Sequence, residues 1–203
     1  GDRLAERYWR AMNAAANFAW VNRQAITVAV RRVFAELFED PSLELVYDVC
    51  HNIAKEERHV VDGRETDLLV HRKGATRAFP PGHPEIPEAY RDVGQPVFVP
   101  GSMGTHSYVL AGGHQSMDRT FGSTAHGAGR VMSRTRAKEE YTAGELRRTL
   151  RERGIFVRAR SGGTMAEEAP GAYKDVDEVV RVSDALGIGT KVARMRPVCN
   201  IKG

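Results

Sequence analysis

Glycine sets the limits of this fold. The 203-residue chain carries 20 glycines, concentrated over 101–129 and again over 161–171. Glycine loses more conformational freedom on ordering than any other residue, so long helices and strands do not persist through such stretches. Tight turns and close approach of backbone to a ligand are the two physical uses of loops like these. The stretch "STAHGAGRVMSR" at 123–134 poses the question most directly. It sets His126 among Ala125, Gly127, Ala128 and Gly129, with Arg130 and Arg134 just downstream.

Regular elements are expected outside the glycine runs. Leu4, Tyr8 and Met12, then Val30, Val33, Phe34, Leu37 and Phe38, recur at helical spacing over 3–38. A bend is expected near Asn22 and a stop at Pro41. "LELVYDVC" (43–50) alternates like a strand. "HVVDGRETDLLVHRKG" (59–74) reads as a hairpin turning at Asp62-Gly63. The proline-rich 79–94 is an ordered loop, and "PVFVPG" and "SYVLAG" are two strands joined by "SMGTH". Residues 111–137 have no clean period, which points to function rather than disorder. Thr142 and Glu145 predict a capping box opening a helix that Gly154 closes. "IFVRAR" (155–160) reads as a strand, "DVDEVVRVSDALG" (175–187) as a helix and "TKVARMRPVCNIKG" as a closing strand and tail. No internal repeat is evident. The sum is an α+β fold with mixed or antiparallel sheets and flanking helices, over one domain spanning 1–203.

Composition narrows the class. Apolar residues make up 41% and charged residues 28%, as in soluble globular proteins, and the net charge of +4 permits an anionic partner. Cys50 and Cys199 offer neither a zinc spacing nor a disulfide framework. No signal peptide and no apolar run of transmembrane length is visible, so a reducing cytoplasm and no membrane are expected.

Four stretches offer backbone N–H groups with little steric cover: "PGSMGTHS" (100–107), "HGAGR" (126–130), "SGGTM" (161–165) and "CNIKG" (199–203). Such groups cradle phosphate oxygens, although none of the four is a P-loop. A neutral imidazole is a nucleophile at physiological pH. Small neighbours would let His126 approach a crowded phosphate, and Arg130 or Arg134 would neutralise charge developing there. His51, beside Asn52, could supply one metal ligand. The cluster His71, Arg72, Lys73 and Arg77 suits phosphate or RNA backbone.

Taken together, "AAANFAWVNRQ", "HNIAKEE", "VHRKGATRAF", "PGSMGTHSYVL", "STAHGAGRVMSR" and "CNIKG" resemble, in that order and over essentially the whole chain, the RtcB family of tRNA-splicing RNA ligases. The resemblance implies an RtcB-like fold and an enzyme of tRNA splicing or RNA repair. Such ligases join RNA ends bearing a 3′-phosphate or 2′,3′-cyclic phosphate to 5′-hydroxyl ends, using GTP and manganese (Mn2+). It implies that His126 carries GMP through a phosphoramidate bond. It places Asn52, Ser102, Gly104, Ser107, Ala128, Gly129, Arg130, Tyr173 and Lys202 around the nucleotide, with Lys202 reading guanine and Tyr173 packing on the base. Lys73 and Arg134, with Arg130, would contact phosphate or RNA, and His51 would bind manganese. An activating protein is a further partner compatible with the resemblance.

The family draws its other metal ligands, an Asp, a Cys and further histidines, from a region N-terminal to this stretch. Cys50 is not the family's metal cysteine. The chain is therefore expected to be the C-terminal part of such a ligase and inactive in sealing by itself. If it nonetheless builds a metal site, His59, His71, His106 and His114 are the first ligands to examine. Two other readings compete: a non-catalytic GTP- or RNA-binding remnant, and a histidine-dependent phosphotransferase unrelated to RNA.

Overall fold

The structure, a computed structural model, describes residues 2–159, 161–196 and 198. They gather into two compact units, one reaching Arg77 and the other starting at Ala78. The architecture is α+β, as the residue pattern predicts, and the strand pairs within each unit are antiparallel.

The first unit opens with helix α1, Arg3–Leu37. Asp2 caps it, its carboxylate accepting the Leu4 N–H at 3.0 Å, and the helix runs unbroken past Asn22. It ends at Phe38, before Pro41, where a proline cannot continue a helix. The strand expected at 43–50 is not formed. Its residues alternate correctly but find α1 instead of a strand. Arg31 donates from Nε and Nη2 to the Leu43 carbonyl at 3.1 and 2.8 Å, and Arg23 donates from Nε to Asp48 at 2.8 Å.

The expected hairpin is present as β1 (Asn52–Val61) and β2 (Arg64–Lys73), and its first strand starts earlier than the sequence pattern showed. Asp62 and Gly63 take φ of 50° and 75°, the two positive values of a type I′ turn. The turn fixes a register from Val61↔Arg64 out to Asn52↔Lys73. The early part of β1 was hidden by the run Lys55–Arg58, in which Glu57 is buried. Its carboxylate receives Arg72 Nη1 and Nη2 at 2.7 and 2.8 Å, and His59 Nε2 lies 3.1 Å away. A short strand, β3 (Ala75–Arg77), ends this unit.

The second unit is built on a three-stranded sheet of β4 (Pro96–Val99), β5 (Ser107–Gly112) and a later strand, Gly189–Met195, in that order. Val97, Val99, Tyr108 and Leu110 face one core with Val176 and Val180. The 79–94 loop contains only a single 3-10 turn, Glu88–Tyr90. The aperiodic stretch resolves into α2 (Ser116–Thr120), β6 (Ser123–Ala125), the HGAGR loop and α3 (Arg134–Glu140), the last capped by Ser133.

Helix α4, Ala143–Glu152, has the predicted cap: Thr142 Oγ1 accepts the Glu145 N–H at 3.3 Å. The Thr142 hydroxyl also donates to the Glu145 carboxylate, so the reciprocal half of the box is a side-chain contact. Gly154, at φ 75°, lets Ile155 N–H reach the Leu150 carbonyl and its own N–H reach that of Arg151. That C-cap explains why 155–159 is not the expected strand: Ile155 and Val157 are turned into a second core with Leu146, Leu150, Met165 and Ala169. Residue 160 lies outside the described residues. Helix α5 (Gly162–Glu167) was concealed by its two leading glycines, and Ser161 caps it. Helix α6, Val176–Ala185, forms where the sequence predicts a helix and is capped by Asp175, whose carboxylate accepts the Asp177 N–H; Gly189–Met195 is β7. Among the described residues, no helix is long and apolar enough to cross a membrane.

Burial would raise the Glu57 carboxyl's pKa, but the hydrogen bonds and charge of Arg72, with His59, outweigh it and hold it below its ordinary value. A depressed folded-state value contributes stability above the ordinary carboxylate range, lost as pH falls through the folded value. Glu57→Gln leaves Arg72 buried without its counter-charge and is expected to cost about 3–5 kcal/mol in urea unfolding. The double variant Glu57→Leu with Arg72→Met should recover most of that loss. A single variant as stable as the parent would show that the pair is not holding the hairpin.

Candidate functional site

The loop between β4 and β5 is closed on itself. Ser102 N–H donates to Thr105 Oγ1 at 2.7 Å, and Thr105 N–H returns to the Ser102 carbonyl at 3.3 Å. Gly101 is required here, since a Cβ would fall on the His106 carbonyl oxygen and Thr105 Oγ1. Gly104 has φ +88°, and a Cβ there would press on Ile155 and Leu150 at 3.1 and 3.3 Å. Met103 enters the core beneath α4. Ser107 is buried at the start of β5, its Oγ facing the Gly101 N–H at 3.5 Å.

The HGAGR loop locks onto this one. Buried Ala128 donates its N–H to the Pro100 carbonyl at 3.1 Å. The two loops are therefore neighbours, and half-buried His126 sits two residues from their junction. Ala128 acts as the lock, because its own N–H is already used. Among the described residues, the N–H groups of Gly127 and Gly129 have no hydrogen-bond partner. They are the donors this loop has left for an anion.

Arg130 holds the loop from its other side. Its Nε donates to the Met132 carbonyl (3.1 Å), Nη1 to the Tyr173 hydroxyl (3.0 Å) and Nη2 to the Glu167 carbonyl (2.8 Å). The guanidinium also lies over the Tyr173 ring, 4.9 Å from its centroid. An antiparallel bridge at Arg130 and Tyr173 ties the backbones: Lys174 N–H donates to the Gly129 carbonyl and Val131 N–H to that of Ala172, both at 2.9 Å. The Tyr173 hydroxyl in turn donates a hydrogen bond to the Glu168 carboxylate at 2.6 Å. Burial, then Glu168, raises the phenol's pKa, with Arg130 opposing, so the phenol stays protonated. Arg134, exposed at the start of α3, lies 3.7 Å from Glu167, which also pairs with Lys138.

Thus all of these lie in the second unit: Ser102, Gly104, His126, Ala128, Gly129 and Arg130 on the two joined loops, Ser107 at the start of β5, Arg134 at the start of α3 and Tyr173 on the segment that Arg130 grips. Glu167 and Glu168, which orient Arg130 and Tyr173, were not foreseen. The only sequence signal for them was an acidic pair closing the "GGTM" helix. His51, Asn52 and Lys73 lie in the first unit, at the open end of the hairpin, where Asn52 is the cross-strand partner of Lys73. Partial desolvation of His51, with the charges of Arg23 and Lys73, lowers its pKa and favours the neutral imidazole that binds metals. Lys202 lies outside the described residues.

Manganese needs several ligands, and the described residues hold no group of three or more His, Cys, Asp or Glu arranged around one point. His59 is engaged with Glu57, His71 stacks on Tyr8 at 5.9 Å, and His106 Nδ1 accepts from Arg194 at 2.9 Å. These residues alone do not fit a fixed manganese ion.

The family model described as tRNA-splicing ligase RtcB matches residues 1–203. The chain belongs to the RtcB family. It is 60% identical to the tRNA-splicing ligase RtcB of Thermococcus kodakarensis over 202 residues, covering 98% of this chain and 42% of that protein. The RtcB of Pyrococcus abyssi is also 60% identical, over 98% of this chain and 22% of its own length. That of Nanoarchaeum equitans is 55% identical, over 98% and 43%. The chain thus spans less than half the length of these curated RtcB relatives.

Arg130→Lys keeps the charge but cannot serve three diverging acceptors. It is expected to lower stability by about 2 kcal/mol, read from the urea midpoint, since hydrogen bonds from a charged donor are each worth roughly 1.5–3 kcal/mol. An unchanged midpoint would mean that the fork is incidental to the loop.

Proposed function

We propose that this chain is the nucleotide-bearing part of an RNA ligase that seals 3′-phosphate or 2′,3′-cyclic phosphate ends to 5′-hydroxyl ends through a GMP-histidine intermediate. The observation that carries the reading is the junction of the two glycine loops, which sets His126 beside unspent backbone donors, within a chain of the RtcB family. In this scheme an imidazole nitrogen of His126 attacks the α-phosphorus of GTP. A P–N bond forms, the bridging P–O bond breaks and pyrophosphate leaves. An oxygen of the RNA 3′-phosphate then takes the GMP, releasing the histidine. The 5′-hydroxyl oxygen finally attacks the activated 3′-phosphorus, and GMP departs as the phosphodiester forms. Gly127 and Gly129 N–H groups would hold phosphate oxygens, and Arg130 would chiefly fix the loop that carries them. Lys73 and Arg134 would meet phosphate or RNA, and His51 would contribute one ligand to manganese, a Lewis acid for phosphoryl chemistry when bound. A cytoplasmic setting suits the free, buried Cys50.

A second reading is that these 203 residues by themselves bind GTP without sealing RNA. The scarcity of clustered metal-binding side chains among the described residues favours it, since a divalent ion held by His51 and solvent alone is poorly fixed.

Radiolabelled GTP with manganese should leave acid-labile label on the parent chain or on a longer ligase containing it, and none on His126→Ala. Label that survives His126→Ala would overturn the assignment. Lys202→Ala should weaken GTP binding by ~1–3 kcal/mol while leaving ATP binding nearly unchanged, as expected for a lysine that reads guanine acceptors. Equal weakening for both nucleotides would place Lys202 on phosphate instead.

A further inference from the structure

Helix α4 turns Leu146 and Leu150 into the core and leaves Arg147, Arg148 and Arg151 exposed on the face turned away from them. Arg153 and Arg158 extend the exposed positive surface past the C-cap. Among the described residues, none of these five arginines pairs with a carboxylate. Elsewhere in the same unit Arg134, Arg136, Arg181 and Arg194 each do. Glu145 and Glu152 are exposed on the same helix, at spacings from Arg148 that ordinarily pair, but among the described residues neither forms an ion pair with these arginines, and Glu145 is bonded to Thr142. Cations in the last turn would complement the helix dipole, but Arg147 and Arg148 lie ahead of it.

An aromatic side chain stands within the same patch. Phe156 is 79% exposed, with the Arg151 guanidinium 5.8 Å from its ring centroid. Ile155 before it is held under Leu150 by the helix C-cap. A Cβ added at Gly104 would meet both Ile155 and Leu150. The patch is therefore carried on the same packed core that holds Met103 of the loop between β4 and β5.

We propose that the arginine face of α4 with Phe156 is an RNA-contact surface separate from the HGAGR loop, binding single-stranded RNA away from its reacting end. The proposal rests on the ligase reading for the identity of its polymer. The chemistry is that of non-specific single-strand binding: unpaired arginines track phosphates, and a free aromatic face stacks a base of any kind. An acidic polypeptide would meet the charge but would leave the exposed ring without a use.

The test is fluorescence anisotropy of a labelled single-stranded RNA bearing a 3′-phosphate, titrated with the 203-residue chain over a salt series. It uses neither GTP nor metal, so its result is separate from that of histidine labelling. Replacing Arg147, Arg148 and Arg151 together by Gln should make the slope of log affinity against log salt shallower by about 2, at ~0.7 for each phosphate no longer neutralised. Phe156→Ala should weaken single-strand binding about tenfold, leaving the salt slope and the binding of duplex RNA unchanged. The proposal fails if the parent chain does not bind RNA, or if the triple variant, folded by circular dichroism, binds with the parent's affinity and slope. It also fails if the triple variant loses a polyglutamate ligand but keeps RNA, which would make the patch a site for an acidic protein.

Discussion

The guanidinium of Arg130 is the fixed point of the candidate site. A loop of His, Gly, Ala and Gly has little side-chain surface with which to hold itself, so its conformation must be imposed from outside. Arg130 does this with three hydrogen bonds that diverge to the Met132 carbonyl, the Glu167 carbonyl and the Tyr173 hydroxyl. Ala128 completes the restraint by bonding to Pro100 on the opposite side. Gly127 and Gly129 flank Ala128, and among the described residues their N–H groups have no hydrogen-bond partner. This answers why cations follow the histidine: Arg130, the nearer one, is spent on shaping the loop.

The second loop is held by different physics. Met103 packs under α4 in the cluster of Leu146, Leu150, Ile155 and Met165, and a Cβ at Gly104 beside it would press on Ile155 and Leu150. Gly101 permits a turn that any side chain would block. The candidate site is therefore backbone presented by packing on one side and by a charged fork on the other. Preorganised donors of that sort need no rearrangement when negative charge arrives.

Much of this was legible in the sequence, and the failures share a cause. Helix α1, the Asp62-Gly63 turn and the caps at Thr142 and Gly154 are local devices, and local devices can be read from neighbouring residues. The misread segments were decided by distant partners. Residues 43–50 carry strand-like alternation, yet Arg23 and Arg31 of α1 take up their polar groups. The run after Gly154 was diverted when Ile155 became part of the helix cap. Buried Glu57 made β1 look too polar to be a strand so early, since its Arg72 partner lies across the hairpin. At the site, His126 and Arg130 were visible by motif, whereas Glu167 and Glu168 gained their roles only through tertiary contact with Arg130 and Tyr173.

The central claim is that the joined loops form the GTP site. Amide chemical shifts of the isotopically labelled chain, followed by NMR as GTP is added, test it most directly. The account predicts that the amides of Gly127 and Gly129 move most, with Ser102 and Gly104 following, and that the same positions in Arg130→Lys respond far more weakly. Saturable shifts that leave 100–107 and 126–130 unmoved would contradict it, because the nucleotide would then be bound elsewhere.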